Sequence, residues 1–426
     1  MDIFQFHNNV INEYSDYINS FIFINDERIK EKVVKELAAQ KLWPDPLIQF
    51  NPSYEKSFSI EKLAEQNIVV NELSQMFKGF QLYKHQEEGL RFGTSYKDFI
   101  VTSGTGSGKS LIFMGTIFNH LFKTKDQTSG VKALIVYPMN ALINSQTLEL
   151  DKWKENYETN SNKKFPFTYK QYTGQEGTSE REEIKNNPPD ILLTNYMMLE
   201  LILTRLAENS IKKSIADNLR FLVFDELHTY RGRQGADVSL LIRRIRSLSK
   251  NSLVCIGTSA TMISGESFKE QKNKVAEVAT RIFGKVFSSD QIISEKLVNS
   301  LGYSKENFSQ LQSSLKNEII TSARYEDIIK HPLAMWIESN IALTFDDGNL
   351  IRRKPLSLYA ISNILSEETK IPLPVCLSQL NKLLIWANYL NNRKNTYSVP
   401  VLPFKLHQFI SQTGSVYITL DSKKTG

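Results

Sequence analysis

The sequence is poor in residues that build covalent or metal frameworks. Its 426 residues include two cysteines, Cys255 and Cys376, far apart in the chain, and six histidines. No Cys/His cluster has zinc-ligand spacing, which excludes a zinc module, and two distant cysteines exclude a disulfide scaffold. Cys255 lies in an apolar, strand-like run, the setting of a buried thiol and not of a redox centre. No apolar run approaches the roughly 18 residues that cross a bilayer. The start, Met1-Asp2-Ile3-Phe4-Gln5-Phe6-His7, lacks the basic-then-apolar pattern of a secretory leader. A cytoplasmic protein with no membrane partner is the expectation. Internal repeats and low-complexity tracts are missing too. Charge of one sign is scarce: 52 Lys+Arg against 46 Asp+Glu leave +6. That mild basic balance permits nucleic acid as a partner without requiring it.

What remains is an ordinary globular composition, 41% hydrophobic and 23% charged, in a chain long enough for about two or three domains. Residues 1–75 read as a helical N-terminal extension. Ile29, Val33, Val34, Leu37 and Leu42 recur at helical spacing until Pro44 and Pro46, and a second amphipathic piece covers 59–77. Residues 76–285 alternate apolar, β-branched runs (99–102, 133–137, 167–172, 191–194, 221–224 and 253–256) with helical patterns. Continuous apolar strands of this kind suit an α/β fold with a mostly parallel sheet buried on both faces, whose ligands bind beyond the carboxyl ends of the strands. Residues 286–426 read as mainly helical and winged-helix-like. Helices are expected at 290–301, 307–320, 356–368 and 374–391, after one at 268–283. A hairpin is expected around Asp346-Asp347-Gly348-Asn349, with extended segments at 397–404 and 416–421.

Chemistry concentrates just after the strand-like runs. Ile100-Val101-Thr102 leads into Ser103-Gly104-Thr105-Gly106-Ser107-Gly108-Lys109-Ser110, which opens an apolar helix. Backbone N–H groups of such a loop line a concavity for anionic oxygens, and glycine lets the backbone approach them. Lys109 would reach the β/γ-phosphates and Ser110 would ligate Mg²⁺. Ser103 stands where the usual pattern begins with glycine. Phe221-Leu222-Val223-Phe224 ends in Asp225-Glu226-Leu227-His228. Asp225 is placed to hold Mg²⁺, and Glu226 to orient and deprotonate the water that attacks a γ-phosphate. Small hydroxyl residues in Gly257-Thr258-Ser259-Ala260-Thr261 are suited to hydrogen-bond Asp225 or His228. The segment from Phe80 to Gln86 combines an aromatic platform with an amide able to read adenine.

In this order the motifs resemble the first RecA-like lobe of superfamily 2 DEAD/DEAH-box helicases, and the flanking segments resemble the large bacterial repair and phage-defence helicases with a DUF1998-type region. The resemblance implies a RecA-like P-loop NTPase lobe with ATP and Mg²⁺ as cofactors. It makes Gln86 the adenine-sensing residue and Gly104, Thr105, Gly106, Ser107, Gly108, Lys109 and Ser110 the phosphate cradle. Asp225 and Glu226 become the catalytic carboxylates, and His228, Ser259, Ala260 and Thr261 the coupling elements. It further implies nucleic-acid backbone contacts at Pro138, Asn140, Thr173, Gly174, Thr194 and Asn195, with DNA favoured over RNA. Arg243, Arg246 and Lys250, on the helix after the DExH box, form a basic face that reads as solvated or as a nucleic-acid or partner contact.

Such helicases close a second RecA-like lobe, bearing arginine fingers, over the nucleotide, and a finger is worth several powers of ten in rate. No finger-like Gly-Arg segment follows Thr261. The expectation is therefore an ATP-dependent motor lobe that turns over slowly until a second lobe, in cis or in trans, completes it. The competing expectation is a nucleotide-dependent nucleic-acid-binding or assembly subunit of a multi-protein, antiviral complex. A small-molecule kinase would not need the DExH and Ser-Ala-Thr elements together.

Overall fold

The structure, a computed structural model, describes residues 3–20, 24–39, 43–104, 106–124, 129–260, 267–302, 308–322, 324–392 and 400–410. The expected segment at 416–421 lies outside them, as do Thr105 and Thr261. Contacts divide the chain into two units: Tyr54–Lys296 with Asp346–Asn349, and Met1–Ser53 with Leu297–Phe345 and Leu350–Gly426.

The first of these is built on a seven-stranded, all-parallel sheet. Its strands are β1 (Phe99–Thr102), β2 (Ala133–Tyr137), β3 (Tyr169–Tyr172), β4 (Ile191–Asn195), β5 (Phe221–Phe224), β6 (Val254–Ser259) and β7 (Ile292–Ser294). They lie in the order β7-β1-β6-β5-β2-β4-β3. Side chains alternate across the sheet, so each continuous apolar run feeds two cores. Val101, Ile135, Leu193, Val223 and Ile256 face one core with the helices α1 (Lys84–Thr94), α2 (Lys109–Thr124) and α3 (Asn140–Ser161). Ile100, Leu134, Leu192, Leu222 and Cys255 face the other, with α4 (Tyr196–Thr204), α5 (Gly232–Leu248) and α6 (Phe268–Phe283). The thiol of Cys255 is buried there, as its apolar setting implied.

Two sequence expectations change in this unit. The segment expected as a helix at 290–301 instead supplies β7. Ile292 and Ile293 are β-branched and buried, and β7 pairs in parallel with β1 through Ile292↔Ile100 and Ile293↔Val101. The basic face of α5 is also engaged. Arg243 donates from Nη2 to Arg281 O at 3.0 Å, and Arg246 from Nη1 to Phe283 O and Gly284 O, both at 2.7 Å. These carbonyls close α6, whose end turns through Gly284 at φ 62°. The guanidinium groups thus satisfy the last carbonyls of a neighbouring helix. Lys250 pairs with Asp217 at 2.6 Å.

The second unit carries an antiparallel three-stranded sheet in which Leu47–Phe50 is central, flanked by Leu356–Ser357 and Phe404–His407. Helices Ile3–Ser20, Phe308–Lys316, Leu358–Thr369 and Leu373–Asn392 contribute its helical layer. Trp336 is fully buried, and its indole N–H donates to Glu368 at 2.7 Å. The expected hairpin strands are Leu343–Asp346 and Asn349–Arg352. Asp347 (φ 52°) and Gly348 (φ 76°) make the turn between them, the left-handed pair that a tight hairpin needs.

Candidate functional site: a phosphate loop facing paired carboxylates

β1 is buried on both faces and ends against the glycine-rich loop. Gly106 (φ 83°) and Gly108 (φ 75°) take backbone conformations that favour glycine. The loop is braced from α1. Gln86 accepts the Tyr83 N–H through Oε1 at 2.9 Å and donates from Nε2 to Ser107 O and Gly108 O, each at 3.2 Å. His85 is fully buried, and its Nε2 donates to Ser107 O at 3.1 Å. Burial holds the His85 pKa below its ordinary value, so the ring is neutral, and it stacks on Tyr83. From beyond β7, the buried Glu295 accepts the Gly104 N–H at 2.8 Å.

Lys109 begins α2 beneath this loop. Its Nζ donates to Ser103 O at 3.0 Å and lies 3.6 Å from Glu226 Oε1, with the side chain only 9% exposed. Asp225 and Glu226 follow β5, next to the end of β6. Asp225 is buried, and burial pushes its carboxyl up to about 6 against the hydrogen bond from Thr258. The neighbouring Glu226 charge adds to the rise and Lys109 opposes it. Two adjacent carboxylates with one ammonium between them leave negative charge under-compensated. That donor set suits a divalent cation held by a single carboxylate, a hydroxyl and phosphate oxygens. Ser110 supplies the hydroxyl on the first turn of α2.

Of the expected coupling residues, His228 meets a carboxylate directly and Ala260 reaches it through His228. His228 Nδ1 lies 3.2 Å from Glu226 Oε2 and 3.3 Å from Ala260 N. Without a proton Nδ1 accepts the Ala260 N–H, and with one it donates to Glu226. Ser259 is buried at the end of β6, with its carbonyl accepting the Ser103 N–H at 3.3 Å. The hydroxyl that reaches Asp225 belongs to Thr258, one residue earlier.

The third cluster lies past β2, β3 and β4. Pro138 and Asn140 follow β2, and Asn195 Nδ2 donates to Asn140 Oδ1 at 2.8 Å and to Thr173 O at 3.3 Å. Asn195 also caps α4 by accepting the Met198 N–H at 2.8 Å. Gly174 (φ 91°) is exposed, while Thr194 is fully buried with its hydroxyl on Tyr172 O at 2.6 Å. Pro138, Asn140, Thr173, Gly174 and Asn195 therefore form the accessible part of this cluster.

A family model described as DEAD/DEAH box helicase matches residues 83–268, a span that takes in the phosphate loop, both carboxylates and the strand that ends in Ser259. This segment is a DEAD/DEAH-box helicase domain. An uncharacterised ATP-dependent helicase of Methanocaldococcus jannaschii is 34% identical over 205 residues, covering 47% of this chain and 29% of that protein. The Druantia protein DruE of Escherichia coli is 24% identical over 409 residues, covering 67% of this chain and 22% of DruE. The chain thus spans less than a third of these curated relatives. A crystal structure of the DUF1998 helicase MrfA bound to DNA aligns with a TM-score of 0.46 at 20% identity, over 61% of this chain and 31% of MrfA.

Within the helicase domain, Lys109, Asp225, Glu226, Gln86 and His228 come together around one loop. The sequence reading missed His85 and Glu295, and it did not single out Thr258 among the hydroxyls of its segment. His85 directly precedes Gln86 and shares its target, a signal available in the sequence. Glu295 arrives with β7, which the sequence reading took for a helix. Among the described residues, no helix is long and apolar enough to cross a membrane.

Proposed function

We propose that the chain is the ATP-driven motor lobe of a helicase or translocase that acts on nucleic acid, DNA before RNA, and that a second RecA-like lobe completes it. The observation that carries the reading is the grouping of Lys109, Glu226 and Asp225. A buried ammonium at the phosphate loop lies 3.6 Å from the carboxylate that follows the metal-binding candidate. Bound Mg²⁺, held by Ser110 and Asp225 with the nucleotide's phosphates, would polarise the γ-phosphate. The loop amides and Lys109 bind and neutralise the β/γ-phosphates. Glu226, within reach of the phosphate end of the cradle, takes a proton from the attacking water. His228 links that carboxylate to the Ala260 amide, so a change in charge at Glu226 reaches the end of β6. Gln86 orders the loop through Ser107 O and Gly108 O and is the residue that would read the adenine of a bound nucleotide.

Asn140 and Asn195, with Thr173 and Gly174, whose N–H groups are held by the Glu176 carboxylate at 2.8 Å, mark the surface proposed for phosphate contacts that position a strand without reading its sequence. The test is ATP hydrolysis by the full chain with and without single-stranded DNA or RNA. The expected result is stimulation by nucleic acid that Lys109→Ala removes. Turnover that nucleic acid leaves unchanged contradicts the reading.

A further inference from the structure

Thr258 makes a contact that the motif chemistry does not assign to it. The residue is fully buried in β6. Register places it there: Phe224 pairs with Gly257, so the next residues, Asp225 and Thr258, stand side by side at the strand ends. Its hydroxyl donates to Asp225 Oδ1. The same oxygen accepts the Glu226 N–H at 3.0 Å. Both carboxylate residues are thereby tied to one hydroxyl.

The Glu226 bond matters because of its backbone. Glu226 has φ 52°, in the left-handed region that a residue with a Cβ rarely adopts. Such a conformation persists where surrounding bonds over-determine it, and it aims the side chain away from the direction a strand would give. Here it sends Glu226 towards Lys109 and His228. On Asp225, occupation of Oδ1 by a hydroxyl proton leaves Oδ2 as the oxygen for a cation and fixes the plane of the group.

We infer that Thr258 is a positioning residue for ATP hydrolysis: one hydroxyl sets the orientation of the metal-binding carboxylate and the left-handed backbone of the water-activating one. The inference rests on the ATPase reading above and deepens it. Ser259, the hydroxyl the motif singles out, instead contributes its backbone carbonyl to the loop. The covalent step is unchanged: water attacks the γ-phosphorus, the bond to the β,γ-bridging oxygen breaks, and Glu226 accepts the water's proton.

The test uses the full chain with Thr258→Val, which removes the hydroxyl at nearly constant shape, and Thr258→Ser, which keeps it. A fluorescent non-hydrolysable ATP analogue is bound first in chelator and then across a Mg²⁺ titration, and kcat for ATP is measured with single-stranded DNA. In chelator all three proteins should bind the analogue alike, since Thr258 does not touch the loop. Thr258→Val should need about tenfold more Mg²⁺ for half-maximal binding and lose about 10- to 100-fold in kcat. Thr258→Ser should stay within about threefold of wild type in both. The inference is overturned by a Thr258→Val protein within twofold of wild type in Mg²⁺ midpoint. It is equally overturned by Thr258→Ser as impaired as Thr258→Val, or by loss of binding in chelator, which would mark a packing role. If wild type hydrolyses no ATP, the ATPase reading fails, and the Mg²⁺ midpoints still decide the role of Thr258.

Discussion

A Cβ on Gly108 would stand 2.3 Å from Nε2 of Gln86. The closeness is the contact by which Gln86 holds the phosphate loop, and it makes the glycine a two-fold requirement. Gly108→Ala would have to expel the Gln86 amide, losing its bonds to Ser107 O and Gly108 O, while also placing alanine at φ 75°. Strain of about 1–2 kcal/mol and two hydrogen bonds of about 0.5–1.5 kcal/mol each set the scale for a loss of ATP affinity of about 30-fold or more. At Gly106 a Cβ meets nothing, so Gly106→Ala carries only the strain of φ 83°. Calorimetric titration with an ATP analogue should rank wild type above Gly106→Ala and Gly106→Ala above Gly108→Ala. The reverse order of the two variants would mean that Gln86 does not brace the loop.

Lys109 and Glu226, the groups assigned above to the phosphates and to the attacking water, should separate binding from chemistry. Lys109 is the only one of them that attracts the phosphates, so Lys109→Ala should weaken nucleotide binding and turnover together. Glu226→Gln keeps the shape and the backbone bond to Thr258 but removes the base. Its nucleotide affinity should remain within about threefold of wild type while kcat falls about 10²- to 10⁴-fold, the usual scale for loss of a general base. Stopped-flow binding and steady-state hydrolysis on the same preparations distinguish the two.

Glu87, on α1, should give the helicase domain a specific acid sensitivity. It is almost fully buried and accepts from the Ser57 hydroxyl, from Arg91 Nε at 2.7 Å and from Lys84 Nζ at 3.1 Å. Burial works against the charge, but these three partners prevail and hold its pKa below the usual carboxylate range. A carboxylate depressed in the folded state stabilises above its unfolded pKa, near 4.3. The contribution is lost as pH falls through the lower folded value. Glu87→Gln should therefore cost about 1.5–3 kcal/mol near neutrality and progressively less below about pH 4.3. Thermal melts of both proteins across pH 3–7 test it, and a difference that grows on acidification is the contrary result.

Arg246 distinguishes a helix cap from a nucleic-acid contact. Its guanidinium is spent on Phe283 O and Gly284 O. Arg246→Ala should lower stability by about 1–3 kcal/mol, the cost of leaving such groups unpaired. The salt dependence of nucleic-acid binding should keep its slope, because no phosphate contact is removed. A slope reduced by about one unit would instead assign Arg246 to the nucleic acid.

The pattern of particular residues explains what the sequence made legible. Strands β1, β2, β4, β5 and β6 could be read because each has an apolar run buried on both faces, whereas β3, Tyr-Lys-Gln-Tyr at the sheet edge, is only partly buried. The loop and carboxylate motifs could be read because their chemistry is local in sequence. β7 could not: three residues at a sheet edge owe their conformation to pairing with β1, and their apolar spacing also fits a helix. Nor could the choice between Thr258 and Ser259, since neighbouring hydroxyls on a strand differ only in which side they present. The Phe224↔Gly257 register that puts Thr258 beside Asp225 is a tertiary fact. The capping by Arg243 and Arg246 likewise depends on where α6 ends against α5.

The central claim is a nucleic-acid-coupled ATPase centred on Lys109, Asp225 and Glu226. The measurement that tests it most directly is the ATP hydrolysis rate of the full chain against single-stranded DNA concentration, for wild type and Glu226→Gln at equal nucleotide occupancy. The account predicts a rate that rises and saturates with DNA for wild type and stays at background for Glu226→Gln. Equal rates for the two proteins, or a wild-type rate indifferent to DNA and RNA alike, would contradict it.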